Sequence, residues 1–130
     1  MENILEFVTS QKITYLATID NDQARVRPMG KLSLIDGKLA WCTNSAKDVF
    51  KQVAANPKIE FSMFGGGKNV RLSGNCLPTK DDSFKEKFIA DQPHVVQYYG
   101  GGEGTLEVMV FEQANATVTA KGAKEVVALY

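Results

Sequence analysis

The chain has 130 residues, 15 basic and 15 acidic side chains and two cysteines. That length makes one domain, residues 1–130, which can remove roughly two-thirds of its unfolded surface from water and build a single core. The cancelled charge argues against a nucleic-acid binder that relies on many phosphate contacts, and no run of about 18 apolar residues is present to span a membrane. The opening stretch MENILEFVTS carries acidic residues and an interrupted apolar run, unlike a secretory signal, so a cytoplasmic location is expected. Cys42 and Cys76 are too few and too far apart for a zinc site, and in a reducing compartment they are expected as free thiols.

In chain order, residues 2–10 read as a short helix with Ile4, Phe7 and Val8 on one side. Lys12 to Asp20 is rich in β-branched and aromatic residues and predicts a strand. A turn at Asn21-Asp22-Gln23 leads into a strand from Arg25 to Leu34, and Asp36-Gly37 turns it back into a further strand ending at Thr43. Alternation puts Arg25, Arg27, Met29, Lys31 and Ser33 on one face, against Val26, Pro28, Gly30, Leu32 and Leu34 on the other. Such a cationic face suits an anionic partner.

A helix is expected from Asn44 or Ser45 to residue 55, ended by Asn56-Pro57, with Ala46, Val49, Phe50, Val53 and Ala54 as its apolar stripe. Thr43, Asn44 and Ser45 offer side-chain caps, and a helix start with free N–H groups is a ready phosphate or carboxylate site. Lys47 then falls in the first turn, where the dipole disfavours a cation by roughly 0.3–1 kcal/mol unless an anion lies between. The bland reading is a solvated lysine offset by Asp48. Lys51, four residues on, could reach the same point.

Ile59 to Phe64 and Lys68 to Leu77 read as strands around Gly65-Gly66-Gly67, with Asn69 and Arg71 sharing the polar face of the second. Thr79 to Ala90 reads as a helix packed through Phe84 and Phe88, and Asp91 to Gly104 as a break. Thr105 to Phe111 and Ala116 to Ala120 make either one long final strand or a hairpin. Five or six mostly antiparallel strands with two or three helices imply a small closed barrel with helices outside, or else an open sheet covered on one face.

The run ATIDNDQARVRPM, then DGKLAWCTNSAKDVFKQVAANPKIE, then KNVRLSGNCLP, resembles the pyridoxamine 5'-phosphate oxidase-like superfamily. More narrowly, it is similar to the short nitroimidazole-reductase-like flavoproteins. The resemblance rests on Ala17-Thr18, Arg25 to Pro28, Thr43, Lys47, Asn56-Pro57 and Gly74 in that order and spacing. It implies a six-stranded antiparallel split β-barrel with peripheral helices, forming a homodimer with flavin mononucleotide (FMN) in two clefts between the subunits. It further implies that Arg25, Val26, Arg27, Pro28 and Met29 run beside the flavin, and that Trp41, Cys42, Thr43, Asn44 and Lys47 hold the phosphate; where the oxidases carry two adjacent basic residues, this chain departs with Lys47 and Asp48, and Lys51 follows a turn later. Asn69 would approach the ring.

The oxidases' C-terminal arginine and histidine residues have no match in the stretch Glu125 to Tyr130. The expected activity is therefore reduction of a small nitroaromatic or quinone acceptor by a nicotinamide or other donor, and not oxidation of the vitamin phosphate. A non-catalytic flavin-binding or stress protein, and a haem- or deazaflavin-binding relative, stand as alternatives. No catalytic side chain is assigned and no metal is expected. His94, the single histidine, could face a substrate, though a loop histidine is more often solvated. Tyr98-Tyr99 could form a lid on the flavin, while covering the core or a partner is the commoner role. Cys42 is expected to be a buried, unactivated thiol.

Overall fold

In the computed structural model, which describes residues 2–130, helix α1 (Glu2–Ser10) is followed by strands β1 (Thr14–Asp20), β2 (Gln23–Met29), β3 (Ser33–Ile35) and β4 (Lys38–Asn44). Helix α2 (Asp48–Ala55) leads to β5 (Lys58–Gly65) and β6 (Lys68–Pro78). Two helices, α3 (Asp82–Asp91) and α4 (Val95–Tyr99), precede β7 (Leu106–Ala120) and β8 (Ala123–Ala128).

All strand pairs are antiparallel, in the order β2-β1-β5-β6-β7-β4-β3, with β8 added along the second half of β7. This corrects the expected barrel in two ways. The described sheet has eight strands, and it is not closed, since β2 and β3 end the path without pairing to each other. It does curl. Trp41 on β4 meets Phe61 on β5 edge to face, with ring centroids 5.7 Å apart, although β6 and β7 separate those strands in the sheet. The inner face therefore folds around one core holding Leu16, Trp41, Phe61, Leu72 and Phe111, capped by Val8 of α1 and Val49 and Val53 of α2. Full burial of each such side chain is worth about 1.5–3 kcal/mol.

The opposite face of β4 is covered too. Ala40 and Cys42 pack with Phe84 and Phe88 of α3 and Val95 of α4 in a second, smaller core. Gly74 lies where β6 and β7 approach beside a register shift between Asn75 and Cys76, and a Cβ there would collide with the Gln113 carbonyl.

Local chemistry explains the other departures. The strand expected from Arg25 to Leu34 is two strands, because β2 pairs with β1 while β3 pairs with β4, and the chain crosses between them at Gly30 to Leu32. The alternation breaks there: Leu32 and Ser33 are both buried, while Val26, on the supposed apolar face, is 71% exposed. The expected break after Asp91 contains α4. The final strand runs unbroken through residues 112–115, and Lys121-Gly122, both at positive φ, turn it into β8. The turn at Asp36-Gly37, also at positive φ, is where the sequence put it.

Candidate functional site

Among the described residues β2 is an edge strand with β1 on one side and no ladder on the other, which is where Pro28, lacking an N–H, is tolerated. Two cavities line its stretch from Arg25 to Met29. The first is an open cleft lined by Arg25, Val26 and Arg27 of β2 and by Lys47, Asp48 and Val49 at the start of α2, with Asp20 and Gln52 at its sides. The second, of about 180 Å³, is lined by Met29, Gly30, Trp41, Cys42, Tyr98 and Tyr99, with Lys31, Gln92 and His94 also on its wall.

The start of α2 is set one turn later than the sequence suggests. β4 stays paired with β7 as far as Asn44 opposite Leu106, and the Asn44 side chain accepts the Ala46 N–H at 2.8 Å. The Lys47 N–H then bonds the Asn44 carbonyl at 3.0 Å, closing a tight turn. Lys47 becomes the N-cap in extended conformation, φ −81° and ψ 150°, and provides no side-chain cap. A lysine has no acceptor to give, so the first-turn N–H groups of α2 are left to solvent or an anion.

Arg27 is half-buried and fixed. Its guanidinium donates to the Leu16 carbonyl at 3.2 Å, the Thr18 hydroxyl at 2.8 Å and Gln52 Oε1 at 2.8 Å. Thr18 in turn donates to Gln52 Oε1 at 2.6 Å. Those three bonds leave two of a guanidinium's five N–H groups to face a ligand. Burial, then the neighbouring Arg25, pulls Arg27 below the ordinary arginine value. Arg25 pairs with Asp20 at 3.2 Å in an exposed bridge, which contributes little stability. The cleft thus holds three cations, Arg25, Arg27 and Lys47, against two carboxylates, Asp20 and Asp48, before the helix dipole is added.

The structure brings together part of the expected set. Arg25, Val26, Arg27 and Lys47 share the cleft, while Met29, Trp41 and Cys42 line the adjoining cavity and Pro28 connects the two along β2. Others lie apart. Thr43 is wholly buried, and its hydroxyl has no hydrogen-bond partner among the described residues, so it caps nothing. Asn44 is buried and spends its amide on Ala46 and on the Tyr99 carbonyl, the latter at 2.6 Å. Lys51 lines a separate depression with Ile19, Asn21 and Asp48. Asn69 pairs with Phe64 and Thr119 on the outward face of the sheet, away from the cleft.

Trp41 is 2% exposed and donates to Cys76 Sγ at 3.4 Å, so it is mainly a packing residue whose edge reaches the cavity. Burial pushes the Cys42 thiol up to about 12, and it is not an activated nucleophile. His94 is exposed on the cavity wall, edge to face with Tyr98 at 6.3 Å between centroids. Tyr98 is 76% exposed and covers no core of its own chain. Sequence reasoning missed Gln52, which holds Arg27; its only signal is a polar residue beside the apolar stripe of α2. Cys42 and Cys76 are free, and no cluster of potential metal ligands exists among the described residues. No helix among them is long and apolar enough to cross a membrane.

A curled, open antiparallel sheet with a cationic cleft at the free edge of β2 places the chain among the split-barrel proteins. A family model described as pyridoxamine 5'-phosphate oxidase matches residues 1–115, and the chain belongs to that family. A NimC/NimA family protein from Clostridium acetobutylicum is 32% identical, with a TM-score of 0.86 over 98% of this chain and 92% of that one. A heme binding protein from Mycobacterium smegmatis has the same fold at 14% identity and a TM-score of 0.76, over 96% of this chain and 56% of the other. A FAD-binding protein from Mesorhizobium loti shares it at 15% identity and a TM-score of 0.66, covering 92% and 94%. None of the curated proteins matches the sequence.

Proposed function

We propose that the protein is an FMN-binding oxidoreductase that works as a homodimer, with two flavins in clefts between the split barrels. The observation that carries this reading is the convergence of Arg25, Arg27, Lys47 and the uncapped start of α2 on one cleft beside an apolar, aromatic cavity. The donor set suits a phosphate monoester: a planar fork held rigid, two flexible cations and backbone N–H groups. Met29, Gly30 and the edge of Trp41 suit a flat ring along the free backbone edge of β2. The FAD-binding protein that shares the fold supports a flavin in such a sheet, and membership of the pyridoxamine 5'-phosphate oxidase family is in keeping with it.

A bound flavin supplies the redox chemistry, passing electrons from a nicotinamide or other donor to a small nitroaromatic or quinone acceptor. The chain's own residues bind and orient. Arg27, immobilised by Gln52 and Thr18, fixes the position of the phosphate. Arg25 and Lys47 add charge, and the exposed Tyr98 borders the mouth of the cavity. Asn69, on the outward face, would reach a flavin only from a partner subunit, which agrees with a site shared between two copies.

The absorption spectrum of the purified protein with cofactor extraction tests the reading. Oxidised FMN and a dimeric sedimentation coefficient are expected. A colourless monomer that ignores added FMN removes the proposal, and a Soret band moves it to the haem-binding relatives. Turnover with NADH or NADPH and a nitroaromatic acceptor separates an enzyme from a flavin carrier.

A further inference from the structure

The Lys47 ammonium lies 5.6 Å from the centroid of the Tyr99 ring, within the roughly 6 Å over which a ring's quadrupole attracts a cation. That contact joins the two cavities, since Lys47 lines the cationic cleft and Tyr99 the aromatic one. Among the described residues Lys47 has no salt bridge, although Asp48 follows it directly. A lysine at a helix N-cap is repelled by the dipole, and its long stem has many rotamers of similar energy. Without a partner the ammonium would spend its time in solvent.

Tyr99, by contrast, is held. Asn44 Nδ2 donates to its carbonyl at 2.6 Å while Asn44 Oδ1 accepts from Ala46, so one buried amide ties the end of α4 to the turn that feeds α2. Gly104, at φ +74°, packs against the same turn, where a Cβ would stand 2.8 Å from both the Ala46 nitrogen and Ser45 Oγ. Ser45 and Thr105 close the far side through Ser45 N to the Thr105 carbonyl and Thr105 N to Ser45 Oγ, each at 2.9 Å.

We infer that Tyr99 is a positioning residue for phosphate binding: its ring, carried on backbone that Asn44 ties to the turn before α2, holds the Lys47 ammonium over the cleft. The inference rests on the flavin reading above and deepens it. Burial, then Cys42 and Tyr98, pushes the Tyr99 hydroxyl above its ordinary value, so the ring stays neutral and Lys47 meets a π face. The phenol oxygen is not needed, and a phenylalanine serves as well.

The test compares FMN with riboflavin, which has the same ring and no phosphate. Dissociation constants are measured by flavin fluorescence for the native protein and for Tyr99→Phe, Tyr99→Leu, Lys47→Met and the Tyr99→Leu/Lys47→Met double variant. Tyr99→Met runs in parallel as a second ringless variant in case leucine impairs folding. Tyr99→Phe is expected to bind FMN as the native protein does. Tyr99→Leu weakens FMN about two- to fivefold, the equivalent of one exposed cation–π contact, and leaves riboflavin unchanged. In the Lys47→Met background it has no further effect. Equal losses for both ligands would mean that Tyr99 acts on the flavin ring or on the fold, and would overturn the inference. So would unchanged FMN binding in the ringless variants, or additive losses in the double variant. A native protein that binds neither flavin ends the flavin reading itself, an outcome visible before any variant is made.

Discussion

Arg25 and Arg27 sit two residues apart on one strand face, yet their surroundings predict opposite divisions of labour. Arg25 is exposed and its one partner is Asp20, so Arg25→Gln should change stability by less than about 1 kcal/mol. Its cost should fall on FMN affinity, and more so at low salt. Arg27 cross-links β1, β2 and α2, and its removal leaves the Gln52 and Thr18 oxygens without their charged donor. Arg27→Met should therefore cost about 1–3 kcal/mol in urea unfolding as well as weaken FMN. Equal stability losses in the two variants would show that the guanidinium network does not hold in solution. Thr43 provides the opposite case. Its buried hydroxyl has no partner, so Thr43→Val, similar in shape, is expected to be neutral or to raise stability by up to about 1–3 kcal/mol while leaving FMN affinity as it was. A loss of FMN in that variant would restore the phosphate contact expected from the sequence.

At the scale of elements, what the sequence made legible is what local chemistry decides. The apolar spacing of α1 and α3 and the Asp36-Gly37 turn needed no knowledge of the rest of the chain, although α3 begins at Asp82, capped by Asp81, and not at the expected Thr79. Of the cleft, the basic strand face and the helix start were readable, because charge alternation and the absence of apolar partners are properties of the segment itself. The exact start of α2 was not. Thr43, Asn44 and Ser45 are all good caps, and the choice fell to β7, which keeps Asn44 in its ladder. Nor was the split between β2 and β3, since Gly30 and Lys31 continue the alternation while the two strands find different partners. The far end of β4 is closed in a way no local pattern announces. The Tyr130 hydroxyl accepts the Leu39 N–H at 2.9 Å and donates to the Phe111 carbonyl at 2.9 Å. Burial is the main reason the phenol is pushed up to about 12, with Cys76 and Glu112 adding and the Leu39 N–H opposing. A folded value above the ordinary 10.0 means that the unfolded chain ionises first. The contribution is whole below pH 10.0 and is lost as pH climbs toward about 12. Tyr130→Phe should flatten that alkaline limb. The comparison belongs in a background lacking both thiols, Cys42→Ala/Cys76→Ala, because the buried Cys42 thiol loses stability over a similar window, from 9.0 to about 12, and burial pushes the Cys76 thiol up as well.

At the scale of the whole molecule, the outward face of β2 and β1 is apolar where a solvated sheet would be polar, and Phe64 at the end of β5 extends it. Register sets Val26 beside Ala17 and Pro28 beside Tyr15, with Ile13 and Phe64 at the same end. Val26 is 71% exposed, Phe64 72%, Ile13 62% and Tyr15 52%. Contiguous apolar surface of this kind marks an interaction face, and it lies on the reverse of the strand that carries Arg25 and Arg27. A second copy seated there would abut the cleft, as the proposed shared flavin site requires. Tyr15 gives the sharpest test, because it lines none of the cavities along β2 and any effect on FMN must pass through assembly. Tyr15→Asp introduces a charge that water solvates in a single subunit and that a dimer must bury, at a cost of several kcal/mol in each copy. The variant should keep its circular-dichroism spectrum, sediment as one subunit and release FMN. If it remains a dimer with flavin bound, the apolar face is not where the two barrels meet; if it becomes a monomer and keeps FMN, the cleft is complete within one chain and the shared site is wrong.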